Sequence, residues 1–131
     1  MEILNVLAAA AAAYIFGAFW YNLWAKPWMA AAQLSLEDIK GPDGKQSPMP
    51  FIIAAICMLV VAGMMRHLFE MAGIETLSKG AVTGFGIGLF MVVPWITMNY
   101  AYGMKHRNLT LIDGGYATIG CTLIGIVLTL F

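Results

Sequence analysis

Residues 77–103 read LSKGAVTGFGIGLFMVVPWITMNYAYG, a stretch in which Lys79 is the one charged side chain. A helix of about 20 apolar residues is long enough to cross the hydrocarbon core of a bilayer. Backbone N–H and C=O groups in that core have no water to bond, so the chain must satisfy them internally, as a helix does. The stretch therefore predicts a transmembrane helix, with a kink at Pro94 because proline lacks an N–H.

Three further apolar stretches of similar length flank this one, at about 3–24, 51–71 and 109–131. Pro48 and Pro50 stand at the start of the second stretch, where a missing N–H costs nothing, and Asn108 is a candidate N-cap for the fourth. We predict an all-α polytopic integral membrane protein, whose residues 1–131 form one small bundle of four transmembrane helices.

The composition agrees with this fold class. Of the 131 residues, 61% are hydrophobic and 11% are charged, whereas soluble domains carry roughly 25% charged residues. So few charges cannot cover a water-exposed surface, and lipid is the expected surrounding. The formal net charge is zero and the sequence has no long basic run, so nucleic acid is not an expected partner.

The one long polar segment, residues 26–49, lies between the first two spans. Ser35 followed by Asp38 resembles a capping box and predicts a short helix at residues 36–40. Gly41-Pro42-Asp43-Gly44 predicts a β-turn, since Pro presets φ and Gly tolerates a positive φ.

The distribution of basic residues predicts the orientation. Lysine and arginine concentrate in cytoplasmic loops, and here they are richest in the first and third loops: Lys26, Lys40, Lys45, Lys105 and Arg107. We therefore expect both of these loops in the cytoplasm and both termini outside.

Small residues recur every fourth position in three of the four spans. Such stripes let helix backbones approach closely in lipid, where no hydrophobic force drives helices together. The stripes are Gly80, Gly84 and Gly88; Ala9, Ala13 and Gly17; and Ala117, Cys121 and Gly125. They fit either close contact within one bundle or an interface between copies. Four spans offer little interior for three stripes, so we expect a homo-oligomer.

Charged residues inside spans are functional candidates because lipid makes them costly. Arg66 and Glu70 are spaced i, i+4 near the end of the second span and can form an ion pair. Asp113 lies near the start of the fourth span, where Lys105 or Arg107 could neutralise it. Its alternative role is that of a proton- or cation-handling carboxylate.

Catalytic and metal-binding patterns are not evident. His67 and His106 fall at opposite membrane faces in the predicted topology, and neither belongs to an H-x-x-x-H or H-E-x-x-H spacing. No serine has a nearby histidine and acid that would activate it. We expect no metal site, no cofactor and no catalytic residue.

Several short aromatic-rich motifs resemble a bacterial family of membrane proteins, domain of unknown function 1761. The motifs are Gly17-Ala18-Phe19-Trp20-Tyr21, Ala25-Lys26-Pro27-Trp28-Met29, Glu37-Asp38, Asn99-Tyr100 and Gly115-Tyr116. The resemblance covers nearly the whole chain and implies a four-span protein of a bacterial inner (cytoplasmic) membrane. It carries no established activity or catalytic residue. It directs attention to Trp20, Tyr21, Lys26, Trp28 and Asn99, which would gather at the cytoplasmic interface.

Two functional hypotheses follow. The first is a homo-oligomeric, non-enzymatic protein, either transporter- or channel-like or an accessory component. The alternative is a membrane enzyme or binding protein that acts on a lipid or quinone at the cytoplasmic interface, which makes a lipid or small amphipathic ligand an expected partner. The binding residues expected under these hypotheses are Trp20, Tyr21, Lys26, Trp28, Asn99 and Asp113.

Overall fold

The computed structural model describes residues 2–41 and 44–131, and within these ranges the chain is helical, with no strand. The helices are α1 (Glu2–Leu23), α2 (Ala25–Ala32), α3 (Leu36–Lys40), α4 (Met49–Ala72), α5 (Leu77–Ile87), α6 (Val93–Tyr102) and α7 (Arg107–Leu130). A π-helical turn, Gly88–Val92, joins α5 to α6, and we call the continuous helix Leu77–Tyr102 the third span. The β-turn expected at 41–44 has its central residues, Pro42 and Asp43, outside the described part of the chain.

Four of these helices are long and apolar enough to cross a membrane: α1, α4, the third span and α7. Their ends lie within one or two residues of the expected bounds. α4 begins earlier than expected, at Met49, because Pro50 fits within its first turn. The N-cap of α7 is His106 rather than Asn108, since the His106 Nδ1 accepts the Asn108 N–H at 3.1 Å.

The spans alternate in direction, and α7 lies at the centre of the arrangement. α1 and the third span pack on α7, and α4 packs mainly on α1. Because α4 is not packed against the third span, the four helices form an open arc, and the side between α4 and α6 is uncovered.

The glycine stripe of the third span lies directly against the small-residue stripe of α7. A Cβ added at Gly80 would come within 2.5 Å of the Gly125 carbonyl oxygen, and one at Gly88 within 2.7 Å of the Ala117 carbonyl oxygen. Between them, Gly84 faces the Cys121 backbone. The two stripes therefore pair with one another, in antiparallel register, and hold the two backbones in contact.

The alanine stripe of α1 is also used within one chain. Ala9 and Ala13 are buried in the core between α1, α4 and α7, and Gly17 lies under the Tyr116 side chain. All three stripes thus find partners in a single copy. We predicted a homo-oligomer because four helices were expected to offer too few internal contacts for three stripes, and that reason does not hold. The homo-oligomer stays a prediction, and none of these stripes is assigned to its interface.

Asn5 fixes the end of α7 that lies farthest from the first loop. Its amide is 2% exposed and donates to the carbonyl oxygens of Phe131, Leu128 and Val127, at 3.0, 3.2 and 3.4 Å. Carbonyls in the last turn of a helix lack intrahelical donors, so the buried Asn5 amide supplies hydrogen bonds that these carbonyl oxygens would otherwise lack.

The polar segment contains one helix that the sequence did not predict. α2 (Ala25–Ala32) follows α1 after a single residue and ends at Gln33, whose φ of 58° is left-handed. α3 is the short helix expected there, and its capping box is formed by Ser35 and Asp38. The hydrogen bond from the Ser35 backbone N–H, together with that from the Ser35 side chain, lowers the pKa of the Asp38 carboxyl.

The sequence predicted a kink in the helix at Pro94, and the structure has a π-helical turn, Gly88–Val92, just before that proline. The Val93 N–H donates to the Gly88 carbonyl, one residue farther back than in an α-helix. The Thr97 hydroxyl donates to the Val93 carbonyl at 2.8 Å, which is ordinary back-bonding within the helix.

The contact between the third span and α7 generates the first prediction. Gly84→Ala places a methyl group against the Cys121 backbone, so we expect it to lower the free energy of unfolding by about 1–3 kcal/mol. Gly86→Ala is the matched control, because a Cβ there meets no atom within 4 Å. Equilibrium unfolding in mixed micelles with sodium dodecyl sulfate measures both.

The Gly86→Ala control should match or exceed the wild type in stability, since alanine favours a helix over glycine. Equal losses in the two variants would contradict the assignment of Gly84 to the contact with α7.

Candidate functional site

Asp113 is the centre of the candidate site. It lies in the second turn of α7, inside an apolar span, and is partly buried. The three residues that surround its carboxylate come from three other helices: Tyr21 lies in the last turn of α1, Trp28 lies in α2 and Tyr100 lies near the end of α6.

All three neighbours donate hydrogen bonds to the Asp113 carboxylate. The Tyr21 hydroxyl reaches Oδ1 at 2.5 Å, the Trp28 Nε1 reaches the same oxygen at 3.3 Å, and the Tyr100 hydroxyl bonds Oδ2. The Asp113 carboxyl group accepts all three of these hydrogen bonds. One side chain thus ties α1, α2 and α6 to α7, and we call these four residues the Asp113 node.

Two glycines make room for the aromatic rings around the node. Trp20 lies over Gly115, where a Cβ would come within 2.8 Å of the indole, and the Trp20 Nε1 donates to the Ile112 carbonyl at 2.9 Å. Tyr116 lies over Gly17 in the same way and donates to the Ala13 carbonyl at 2.9 Å. The aromatic rings therefore bridge α1 and α7 while their polar atoms remain satisfied.

The node closes one end of a groove of about 300 Å³ between α4 and the third span. Its polar end consists of Asp113, Tyr21, Tyr100 and Tyr116. The rest of the lining is apolar apart from a thiol: Met58 and Val61 of α4, Val92 and Ile96 of the third span, and Ala117, Gly120, Cys121 and Ile124 of α7. The groove thus combines a long apolar surface with one acidic, aromatic end.

The open arc of helices explains why the groove exists. α7 forms its floor, while α4 and the third span form its two walls without packing against each other. Gly120 removes side-chain volume from the floor, and Tyr116 is held to one side by its bond to Ala13. The groove therefore follows from the helix arrangement and not from a single missing side chain.

The structure brings together some of the residues that the sequence singled out and separates others. Tyr21, Trp28 and Asp113 meet in the node, and Trp20 bonds the residue before Asp113. Lys26 and Asn99 are exposed, and neither belongs to the node.

The partners expected for Asp113 were wrong. Instead of Lys105 or Arg107, the hydrogen-bond donors that reach it are two phenols and an indole. Tyr100 was missed as a site residue, although it adjoins the Asn99 that was chosen. The sequence did contain a signal, the pair Asn99-Tyr100. Adjacent side chains on a helix point in different directions, so each of the two residues had to be considered separately as a site residue.

The charged residues expected in the second span lie at the opposite end of the bundle from Asp113. Arg66 and Glu70 form the expected ion pair at 3.3 Å, and with His67 they line a second cavity of about 260 Å³ beside Ile3 and Val6. Across residues 2–41 and 44–131, no three His, Cys, Asp or Glu side chains are grouped closely enough to hold a metal ion.

The Asp113 node generates the second prediction. We expect Asp113→Ala to lower the free energy of unfolding by about 2–3 kcal/mol, because it leaves two hydroxyls and an indole N–H without their acceptor. Tyr21→Phe and Tyr100→Phe should each cost about 1–3 kcal/mol, and each should have little further effect in the Asp113→Ala background.

Tyr102→Phe is the matched control, because Tyr102 is 85% exposed and close in sequence to Tyr100. It should leave the stability unchanged. Strict additivity of the Tyr100→Phe and Asp113→Ala losses would show that the two side chains are not coupled.

Comparison with known proteins places the chain in a family. No curated protein and no solved structure matches it. Residues 4–129, nearly the whole chain, match the model of a family described as a protein of unknown function (DUF1761). The match includes every residue of the Asp113 node and all of the four long helices except the first two residues of α1 and the last residue of α7. The chain therefore belongs to the DUF1761 family.

Proposed function

We propose that this chain is a non-enzymatic, transporter-like membrane protein that binds an amphipathic small molecule in the groove between α4 and the third span. The observation that carries the proposal is the position of Asp113, held by Tyr21 and Tyr100 at one end of an otherwise apolar groove. A ligand with one polar end and one apolar end matches this distribution of polarity.

The dimensions of the groove support a ligand with an extended apolar part. Asp113 and Ile124 mark the two ends of its floor on α7. At about 1.5 Å of rise per residue, they are separated by about 17 Å along the helix axis. The uncovered side between α4 and α6 gives such a molecule a route from the bilayer that requires no passage through the aqueous loops.

The lining of the groove also favours binding over catalysis. Its chemistry-bearing side chains are one carboxylate, three phenols and the Cys121 thiol. The Asp113 oxygens are engaged by three donors. Among the described residues that line the groove, no histidine or lysine stands beside the Cys121 thiol as a base that would activate it.

We further propose that the chain lies in the bacterial cytoplasmic membrane with the Asp113 node on the cytoplasmic side. The support is that the node lies beside the first and third loops, which hold most of the basic residues. Both termini then lie outside. A homo-oligomer remains part of the proposal, with α4 as the candidate contact because most of its surface is uncovered.

Blocking the groove tests the proposal. We expect Gly120→Leu to weaken binding of single-chain amphiphiles by at least about tenfold, because the new side chain occupies the floor of the groove. Gly86→Leu is the matched control, since its side chain would point into open space. Native mass spectrometry of the protein in a neutral maltoside detergent counts the bound dodecyl amphiphiles.

Binding that survives Gly120→Leu, or that is lost equally in Gly86→Leu, would contradict the assignment of the groove as the binding site. A quinone or phospholipid retained in stoichiometric amount would favour the alternative of a lipid- or quinone-directed enzyme. The same spectra report the number of copies in the complex.

A further inference from the structure

The polar end of the groove has a chemistry that selects among amphipathic molecules. We propose that the ligand is a lipophilic cation whose charged end is a fully alkylated (quaternary) ammonium, seated between Asp113 and the tyrosines of the groove. This inference rests on the proposed function and names the ligand class for the same site.

The charge of the ligand follows from the groove lining. Asp113 supplies the acidic group, and no lysine, arginine or histidine is among the residues that line the groove. An anionic head would meet a carboxylate with no cation to offset it, and removing that head from water would be costly. A cationic head is therefore the complementary one.

The alkylation of the head follows from the hydrogen bonds of Asp113. A carboxylate has about four lone-pair sites, and Tyr21, Trp28 and Tyr100 already fill three of them. A primary ammonium has three N–H groups, whereas the carboxylate keeps only about one free lone-pair site, so the others would have to bond the phenol oxygens or displace a donor from Asp113. A quaternary ammonium has no N–H group, so it gains from the negative charge without displacing any donor.

The aromatic residues supply the second element of recognition. Tyr21, Tyr100 and Tyr116 line the same end of the groove as Asp113, and the rings of Tyr21 and Tyr116 meet edge-on with centroids 5.4 Å apart. Quaternary ammonium groups are bound by such aromatic surfaces through cation–π attraction. The apolar floor from Ala117 to Ile124 then accommodates the tail.

The experiment compares three probes that share a dodecyl tail: dodecyltrimethylammonium, dodecylammonium and dodecyl alcohol. Each is titrated against the full chain in a neutral maltoside detergent, and binding is counted by native mass spectrometry. We expect the quaternary cation to bind at least about tenfold more tightly than the alcohol, and more tightly than the primary ammonium.

Asp113→Asn provides the charge test with little change in size. The ratio of wild-type to variant affinity for one probe is unaffected by how that probe partitions into micelles. This ratio should be about ten or more for the quaternary cation and near one for the alcohol. Because Asp113 also supports the fold, protection of Cys121 from N-ethylmaleimide in a Cys57→Ser background gives a second measurement that leaves Asp113 intact.

In that second measurement, the quaternary cation should slow the alkylation of Cys121, which lies on the floor of the groove, more than the alcohol does at equal concentration. Equal binding of cation and alcohol would overturn the inference and leave the proposed function standing. Tighter binding of the primary ammonium would overturn the quaternary assignment. Failure of all three probes to bind would overturn both proposals.

Discussion

The arrangement depends on direct contact between two helix backbones. The third span meets the rest of the bundle mainly through α7, and it does so where Gly80, Gly84 and Gly88 offer no side chain. In lipid the apolar side chains gain nothing by leaving their surroundings, so van der Waals contact at short range is the main force available. Spacing the glycines at every fourth residue keeps them on one face and lets the contact extend over two turns.

This contact has a consequence for the chemistry at the other end of the span. The two stripes are antiparallel, with Gly88 against Ala117. Because of this register, α6 lies beside the N-terminal part of α7. Tyr100 is thereby brought to Asp113. The glycine contact and the Asp113 node are thus two parts of one attachment, the first made by backbone atoms and the second by a carboxylate with phenol donors. Neither involves α4, which leaves the groove uncovered.

The sequence was sufficient for the parts of the structure that depend on local pattern. Hydropathy located the four long apolar helices to within a residue or two, the four-residue spacing identified the stripes, and Ser35 with Asp38 identified α3. It was less informative where two physical explanations share one pattern. Tyr21 and Trp28 are what an interfacial aromatic belt requires, and they are equally what a buried carboxylate requires as donors.

Which stripe pairs with which was also beyond a single sequence, because small-residue spacing marks a face without naming its partner. The same holds for Asp113. Lys105 and Arg107 were its nearest charges along the chain, whereas its donors lie 92, 85 and 13 residues away. α2 was missed because Lys26, Pro27 and Trp28 are typical of a membrane interface and do not by themselves indicate a helix, although Pro at an early helix position is well tolerated.

The most direct test of the account is a distance measurement on Asp113 in lipid. Solid-state NMR of the full chain in bilayers, with ¹³C at the aspartate Cγ and tyrosine Cζ positions, detects carboxyl–phenol pairs at hydrogen-bonding separation. We predict that Asp113 shows contacts to both Tyr21 and Tyr100, and that Asp113→Asn changes these signals while leaving those of Asp38 in place. An Asp113 carboxyl with no tyrosine contact, and with a lysine or arginine beside it instead, would contradict the account.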